Sequence, residues 1–151
     1  MADSGKRDDP YQQFNFLVEI DRITRAGFME CSGLTTDTDM IDYREGADLV
    51  MNVRKLSGLR KYTNIVLKRG YTNNVELWKW RNSVIQGKPE RRSAEIILLD
   101  ENRDVVMRWK IEEAWISKWE SGPFNAKTND VAVETVELVH EGLKLIFPAI
   151  S

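Results

Sequence analysis

Apolar and polar residues alternate with a period of two along most of this chain, which is the pattern of β-strands. In FNFLVEI, residues 14–20, every second residue from Phe14 to Ile20 is apolar. Further segments with β character lie at 26–34, 36–46, 64–69, 93–100, 103–120 and 131–140. The segment 103–120 is long enough to bend and serve two sheets. The pattern predicts roughly seven or eight strands.

The period changes to three and four residues in one segment, NVELWKWRNSVIQ, at 74–86. Residues 72–74, Thr-Asn-Asn, all have side chains that cap helix N-termini. Gly87 and Pro89 follow as stop signals. We predict one helix at about 74–86. The fold class is therefore mainly β, an antiparallel β-barrel or sandwich with one flanking α-helix, in a single domain over 1–151.

One apolar segment, ADLVMNV at residues 47–53, lies between Gly46 and a basic stretch rather than between core strands. This placement predicts the tip of a long hairpin. An exposed apolar tip usually marks a contact surface.

Charge is segregated along the chain. Residues 1–50 hold 5 Lys+Arg against 11 Asp+Glu, residues 51–92 hold 11 against 2, and residues 93–151 hold 6 against 11. Six of the cations occur within 54–69, without one acidic residue. Two interpretations stand: the segregation attracts a partner or other copies of the chain, or folding interleaves the charges into a mixed surface.

Candidate catalytic chemistry is sparse. A pairing of the single cysteine, Cys31, with the single histidine, His140, is not excluded by spacing, but a buried thiol and a structural histidine are favoured. One Cys and one His do not make a zinc site without carboxylates. We expect no enzymatic activity, cofactor or metal. The sequence shows neither a signal peptide nor a run of about eighteen apolar residues, so we expect no membrane span.

Five tryptophans are present, and Trp78, Trp80 and Trp109 could stack bases beside the basic segment 54–69. This gives an alternative function, a nucleic-acid-binding β-barrel. Packing in the core or between subunits is favoured for these rings, since a helix covering a barrel also needs large side chains.

The chain resembles the inner tail-tube proteins of contractile phage tails and of phage-tail-like contractile injection systems. The resemblance extends from about Asp9 to about Leu143. It is most specific in KLSGLRKYTNIVLKRG, residues 55–70, and VAVETVELVHEGL, residues 131–143. Ser57 departs from the family, many members of which have Pro before the Gly.

The resemblance implies a structural protomer that forms stacked hexameric rings around a channel for cargo or DNA. Its implied partners are itself, a sheath protein, baseplate and spike-side proteins, and a terminal cap protein. Assembly is expected in the cytoplasm of the producing bacterium, into a virion tail or injection particle.

The resemblance also implies that a long hairpin, at about 43–62, reaches an adjacent ring. The expected inter-ring contacts at its tip are Leu49, Val50, Met51 and Val53. We further predict that the basic segment meets acidic surface of sister subunits, and the expected charged contacts are Arg54, Lys55, Arg60 and Lys61.

Overall fold

The computed structural model describes residues 15–43, 54–72 and 74–146. Within these ranges the chain forms ten strands and one helix. The strands are β1 Phe16–Ile20, β2 Ile23–Ala26, β3 Phe28–Ser32, β4 Thr36–Tyr43, β5 Arg54–Tyr62, β6 Ile65–Gly70, β7 Arg92–Leu99, β8 Val105–Ser121, β9 Val133–Val139 and β10 Gly142–Ile146. The helix, α1, is Glu76–Ile85, inside the segment of three- and four-residue periodicity.

The strand β8 joins two halves of one antiparallel sheet. Its first part pairs with β7 on one side and β10 on the other, and β7 continues through β1 to β2. Its second part, from Trp115 onward, pairs with β9, which continues through β6 to β3. Glu113 lies between the two parts with a φ of 53°, a left-handed conformation that bends the strand.

The core lies between the two halves and is closed by the helix. The strands that line the core contribute mostly alternate residues, as the period-2 pattern predicts. The buried apolar side chains include Val18, Ile96 and Ile111 from the first half, Ile65, Leu67, Val136 and Leu138 from the second, and Leu77 and Trp80 from α1. The predicted class, mainly antiparallel β with one flanking helix, is confirmed.

Local signals account for the helix ends. The Asn74 side-chain oxygen accepts a hydrogen bond from the Glu76 backbone N–H at 2.8 Å, which satisfies one free donor of the first turn. Gly87 has a φ of 82°, the left-handed conformation that ends many helices.

Candidate assembly surface

The strands β4 and β5 form a separate two-stranded hairpin. It continues the β3–β6 ladder beyond the end of the sheet, because Ser32 pairs with Val66 and, after a break, Thr36 pairs with Tyr62. The nine residues of β5 span about 30 Å at the usual rise of a strand. The hairpin is therefore an arm that projects from the domain.

Gly33 fixes the base of this arm. Its φ is 91°, and a Cβ at this position would lie 2.1 Å from the carbonyl oxygen of Asn64, in the link between β5 and β6. The Gly33 carbonyl accepts a hydrogen bond from the Thr63 hydroxyl at 2.9 Å. This close crossing needs a residue without a side chain.

The arm exposes apolar side chains that the core does not use. Met40 is 71% exposed and Leu59 is 75% exposed, while the cross-strand pair Ile41 and Leu56 is about half exposed. A two-stranded hairpin is only marginally stable alone, and its outer edges carry unpaired backbone groups. Both properties favour burial of the arm against another protein surface.

The register supplies acidic partners for the basic segment within the hairpin itself. Asp37 lies opposite Lys61 and Asp42 opposite Lys55. The Lys61 ammonium is 3.0 Å from the Asp39 carboxylate. Part of the charge segregation seen in sequence is thus balanced across two neighbouring strands, as the mixed-surface interpretation requires.

The predicted contact residues divide into two groups. Leu49, Val50, Met51 and Val53 lie outside the described residues, so their role stays a prediction. Of the predicted charged contacts, Lys55, Arg60 and Lys61 lie exposed on β5, and Arg54 is the first residue of that strand.

A buried ion pair links β6 with β9 and contacts the segment before the helix, and the sequence analysis missed it. Arg69 on β6 and Glu134 on β9 are direct cross-strand partners, 2% and 5% exposed, and 2.5 Å separates Arg69 Nε from Glu134 Oε1. Arg69 also donates to the Asn74 carbonyl at 3.3 Å, and the Trp119 indole N–H donates to Glu134 at 3.2 Å. The sequence pattern could have indicated this pair, because each residue continues the alternation of buried apolar side chains along its strand and so lies on the face toward the core.

The geometry of Cys31 and His140 is that of structural residues. Burial raises the pKa of the Cys31 thiol to about 12, so the nucleophilic thiolate is strongly disfavoured. Both ring nitrogens of His140 lie near backbone carbonyl oxygens, 3.1 Å from Thr63 and 3.2 Å from Gly142. Neither residue is arranged as half of a nucleophile–base pair.

Among the proposed stacking residues, Trp80 is completely buried and its indole N–H donates to the Glu90 carbonyl at 2.7 Å. The Arg92 guanidinium lies over its ring at 5.2 Å. Hydrogen bonding from Arg92 lowers the pKa of the Glu90 carboxyl below its usual value. Trp78 packs edge-on against Trp119, with ring centroids 4.8 Å apart.

A basic stacking surface also needs free cations, and several here are engaged. Lys68 lies 3.7 Å from the Glu30 carboxylate, Lys61 pairs with Asp39, and Arg69 is buried. The described residues therefore offer little support for the nucleic-acid-binding alternative. Within the same ranges, no cluster of side chains is suited to hold a metal ion, and no helix has the length and apolar character needed to cross a membrane.

Comparison with known proteins gives a family and several similar structures. The sequence pattern of the T4-like virus tail tube protein gp19 family matches residues 12–144. No curated protein sequence matches the chain.

Similar chains occur in solved structures. A chain in the cryo-EM structure of an extracellular contractile injection system, the PVC sheath–tube complex in the extended state, is 27% identical with a TM-score of 0.83, covering 93% of each chain. A chain in the anti-feeding prophage (AFP) tube-terminating cap is 25% identical with a TM-score of 0.83, covering 97% of this chain and 99% of that one. A chain in the AFP baseplate structure, 24% identical with a TM-score of 0.82, covers 93% and 98% and shows the shared fold.

Proposed function

The chain belongs to the T4-like virus tail tube protein family, and from that premise we propose that it is the protomer of the inner tube of a contractile injection apparatus or phage tail. It is a structural tail tube protein. In our proposal, six copies form a ring, and rings stack around a channel that carries cargo or DNA. Its role is mechanical and requires no catalytic residue.

The projecting β4–β5 arm is the observation that carries this proposal. An arm of about 30 Å with exposed apolar residues is unfavourable in an isolated domain, because its two strand edges and its apolar side chains stay in contact with water. Another copy of the chain can cover the arm, and such copies are present at the same concentration as the arm itself. A contact between different surfaces of identical subunits either closes into a ring or continues without limit, and stacking of rings through the arm is the continuing case.

Open edges of the main sheet support the lateral contact within a ring. The strands β2 and β3 are the two outermost strands in the order of the main sheet, so each has a hydrogen-bonded neighbour on one side only. Pairing of such edges between copies would satisfy their free backbone groups and join the sheets of neighbouring protomers.

The proposed partners follow from the family and the similar structures. Similar chains occur in a sheath–tube complex and in a tube-terminating cap. We therefore propose that this tube binds a sheath protein along its length and a cap protein at one end, with baseplate and spike-side proteins at the other. Assembly takes place in the cytoplasm of the producing bacterium, before the particle acts.

Negative-stain electron microscopy of the purified full chain, over a range of protein concentrations, tests the proposal. We expect rings or hollow filaments whose abundance rises with concentration. Leu59→Asp places a charge on the arm and should abolish stacking. Ile85→Asp places a charge on an exposed apolar site of the helix and serves as the matched control.

The outcome that contradicts the proposal is a compact monomer at every concentration, with no annular or tubular species even when sheath and cap proteins are present. Equal filament formation by the wild type and the Leu59→Asp variant would instead show that the arm is not needed for stacking.

A further inference from the structure

An apolar cavity of about 300 Å³ lies at one end of the core, between β3 on one side and β1, β7 and β8 on the other. Its lining includes Phe16, Met29, Cys31, Leu34, Leu98 and Trp109. An apolar cavity of about 150 Å³ already holds a benzene ring, so this one has room for a large side chain. We call it the core mouth.

Two apolar side chains on the core side stay exposed at the core mouth. Met29 lines the cavity and is 60% exposed. Leu145 is 46% exposed although it lies directly opposite Trp109, and such opposite residues share one face of a sheet. Leu143, two residues earlier on the same strand, packs against the core. The part of the chain that the structure describes therefore buries only the first residues of this row, and a further apolar group is needed to cover the rest.

The chain leaves β10 beside the core mouth. This strand ends at Ile146, and the sequence continues with FPAIS, residues 147–151, which lie outside the described residues. Four of these five residues are apolar and none is charged. Five residues extend over at most about 17 Å, whereas Trp109 is one strand spacing, about 5 Å, from Leu145. The segment is long enough to cross the cavity.

The sequence of this segment favours the core side of the sheet. Phe147 continues the alternation of Leu143 and Leu145, so its position belongs to the face on which the cavity opens. Pro148 follows and has no backbone N–H, which disfavours extension of the ladder along β8. A segment that leaves the plane of the sheet at this point gains most by covering the exposed apolar row.

We propose that residues 147–151 fold over the core mouth of their own chain, with the Phe147 ring in the cavity against Leu98 and Trp109 and with Ile150 near Met29. The segment belongs to the same chain because its attachment to β10 keeps it at high local concentration beside the cavity. A single chain then completes this end of its core without a neighbour, so the inference does not rest on the proposed function.

The native thiol of Cys31 tests the cover, because Cys31 lines the cavity and a reagent reaches it through the core mouth. Removal of residues 147–151, and Phe147→Ser in the full chain, should each raise its rate of alkylation by iodoacetamide about tenfold, the factor that corresponds to the burial of one apolar side chain. The control is removal of residues 2–14, the other terminal segment. Urea unfolding of the same samples verifies that each variant is folded.

Two outcomes of this comparison would overturn the inference. If the rate rises only after removal of residues 2–14, the amino-terminal segment covers the cavity. If the rate stays at the wild-type value in both shortened chains and in Phe147→Ser, neither terminal segment protects Cys31.

Cross-linking in the full chain shows which copy supplies the segment. Met29→Cys and Ile150→Cys, combined with Cys31→Ala and treated with a short bis-maleimide, should give a link within one chain, seen as a monomer by intact mass and located by peptide mapping. The matched control replaces Met29→Cys by Val131→Cys, at an exposed apolar residue outside the cavity lining. Links between two chains, or an equal yield within one chain from the control, would contradict the proposal while leaving the tube function intact.

Discussion

Removing one partner of the buried Arg69–Glu134 pair is expected to cost more stability than removing both. In Glu134→Leu, the Arg69 guanidinium stays in the core, 2% exposed, without its counter-charge. Leaving a buried charge unpaired costs about 3–5 kcal/mol, against a total stability of about 5–15 kcal/mol for a typical domain. Arg69→Met leaves the Glu134 carboxylate with the Trp119 N–H as its remaining protein donor, so we expect a similar loss.

The double variant, Arg69→Met with Glu134→Leu, removes both charges and keeps side chains of comparable length. It loses two further hydrogen bonds, from Trp119 to Glu134 at 3.2 Å and from Arg69 to the Asn74 carbonyl at 3.3 Å. Such bonds contribute about 0.5–1.5 kcal/mol each. We therefore expect the double variant to lose at most about 3 kcal/mol.

Urea unfolding monitored by tryptophan fluorescence measures these differences. With a slope of about 2 kcal/mol per molar urea, each single variant should unfold at a concentration lower by about 1.5–2.5 M. All samples need the same protein concentration, because self-association raises apparent stability. The control is Lys68→Met, which breaks the exposed Lys68–Glu30 pair at a cost below about 1 kcal/mol.

Additive losses, in which the double variant loses the sum of the two single variants, would refute this reasoning. A loss in Arg69→Met no larger than that in Lys68→Met would do the same, because the pair would then not behave as a buried one.

Three further predictions concern single residues. Gly33→Ala should lower stability by about 1–3 kcal/mol in thermal unfolding, because its Cβ meets a backbone carbonyl at a positive φ, whereas Gly27→Ala, with open space around it, should have little effect. Cys31 should react slowly with iodoacetamide at pH 8 in the native protein and rapidly in urea, because burial raises the pKa of its thiol from 9.0 to about 12 on folding. The contribution of this thiol to stability is therefore complete below pH 9 and is lost as the pH rises toward 12. The Cys31→Ala variant should lack that pH dependence. His140→Ala should lower the free energy of unfolding by about 0.5–1.5 kcal/mol, because the hydrogen bond from the ring N–H to a backbone carbonyl is lost. Thermal unfolding measures this loss, and filaments seen by microscopy should remain unchanged.

Much of the secondary structure could be predicted because each element carries a local signal. The period-2 alternation and the single change to helical spacing fix the class, and the length of β8 indicated a strand shared by two sheets. These features depend on residues close in sequence, so a single chain is enough to see them.

The partners of the basic segment could not be predicted in the same way. Which acidic residue faces Lys61 depends on the hairpin register, and the irregularity between Thr38 and Met40 shifts it along the arm.

The shared strand β8 has a consequence for how a tube protomer bears force. A sliding load between the two halves of the sheet pulls along one continuous covalent backbone of 17 residues. The backbone hydrogen bonds between β8 and its neighbouring strands are then loaded in shear, so they resist the force at the same time and do not break one after another. Such a load changes direction at the bend at Glu113. The continuous backbone of β8 therefore holds the two halves of the sheet together under force.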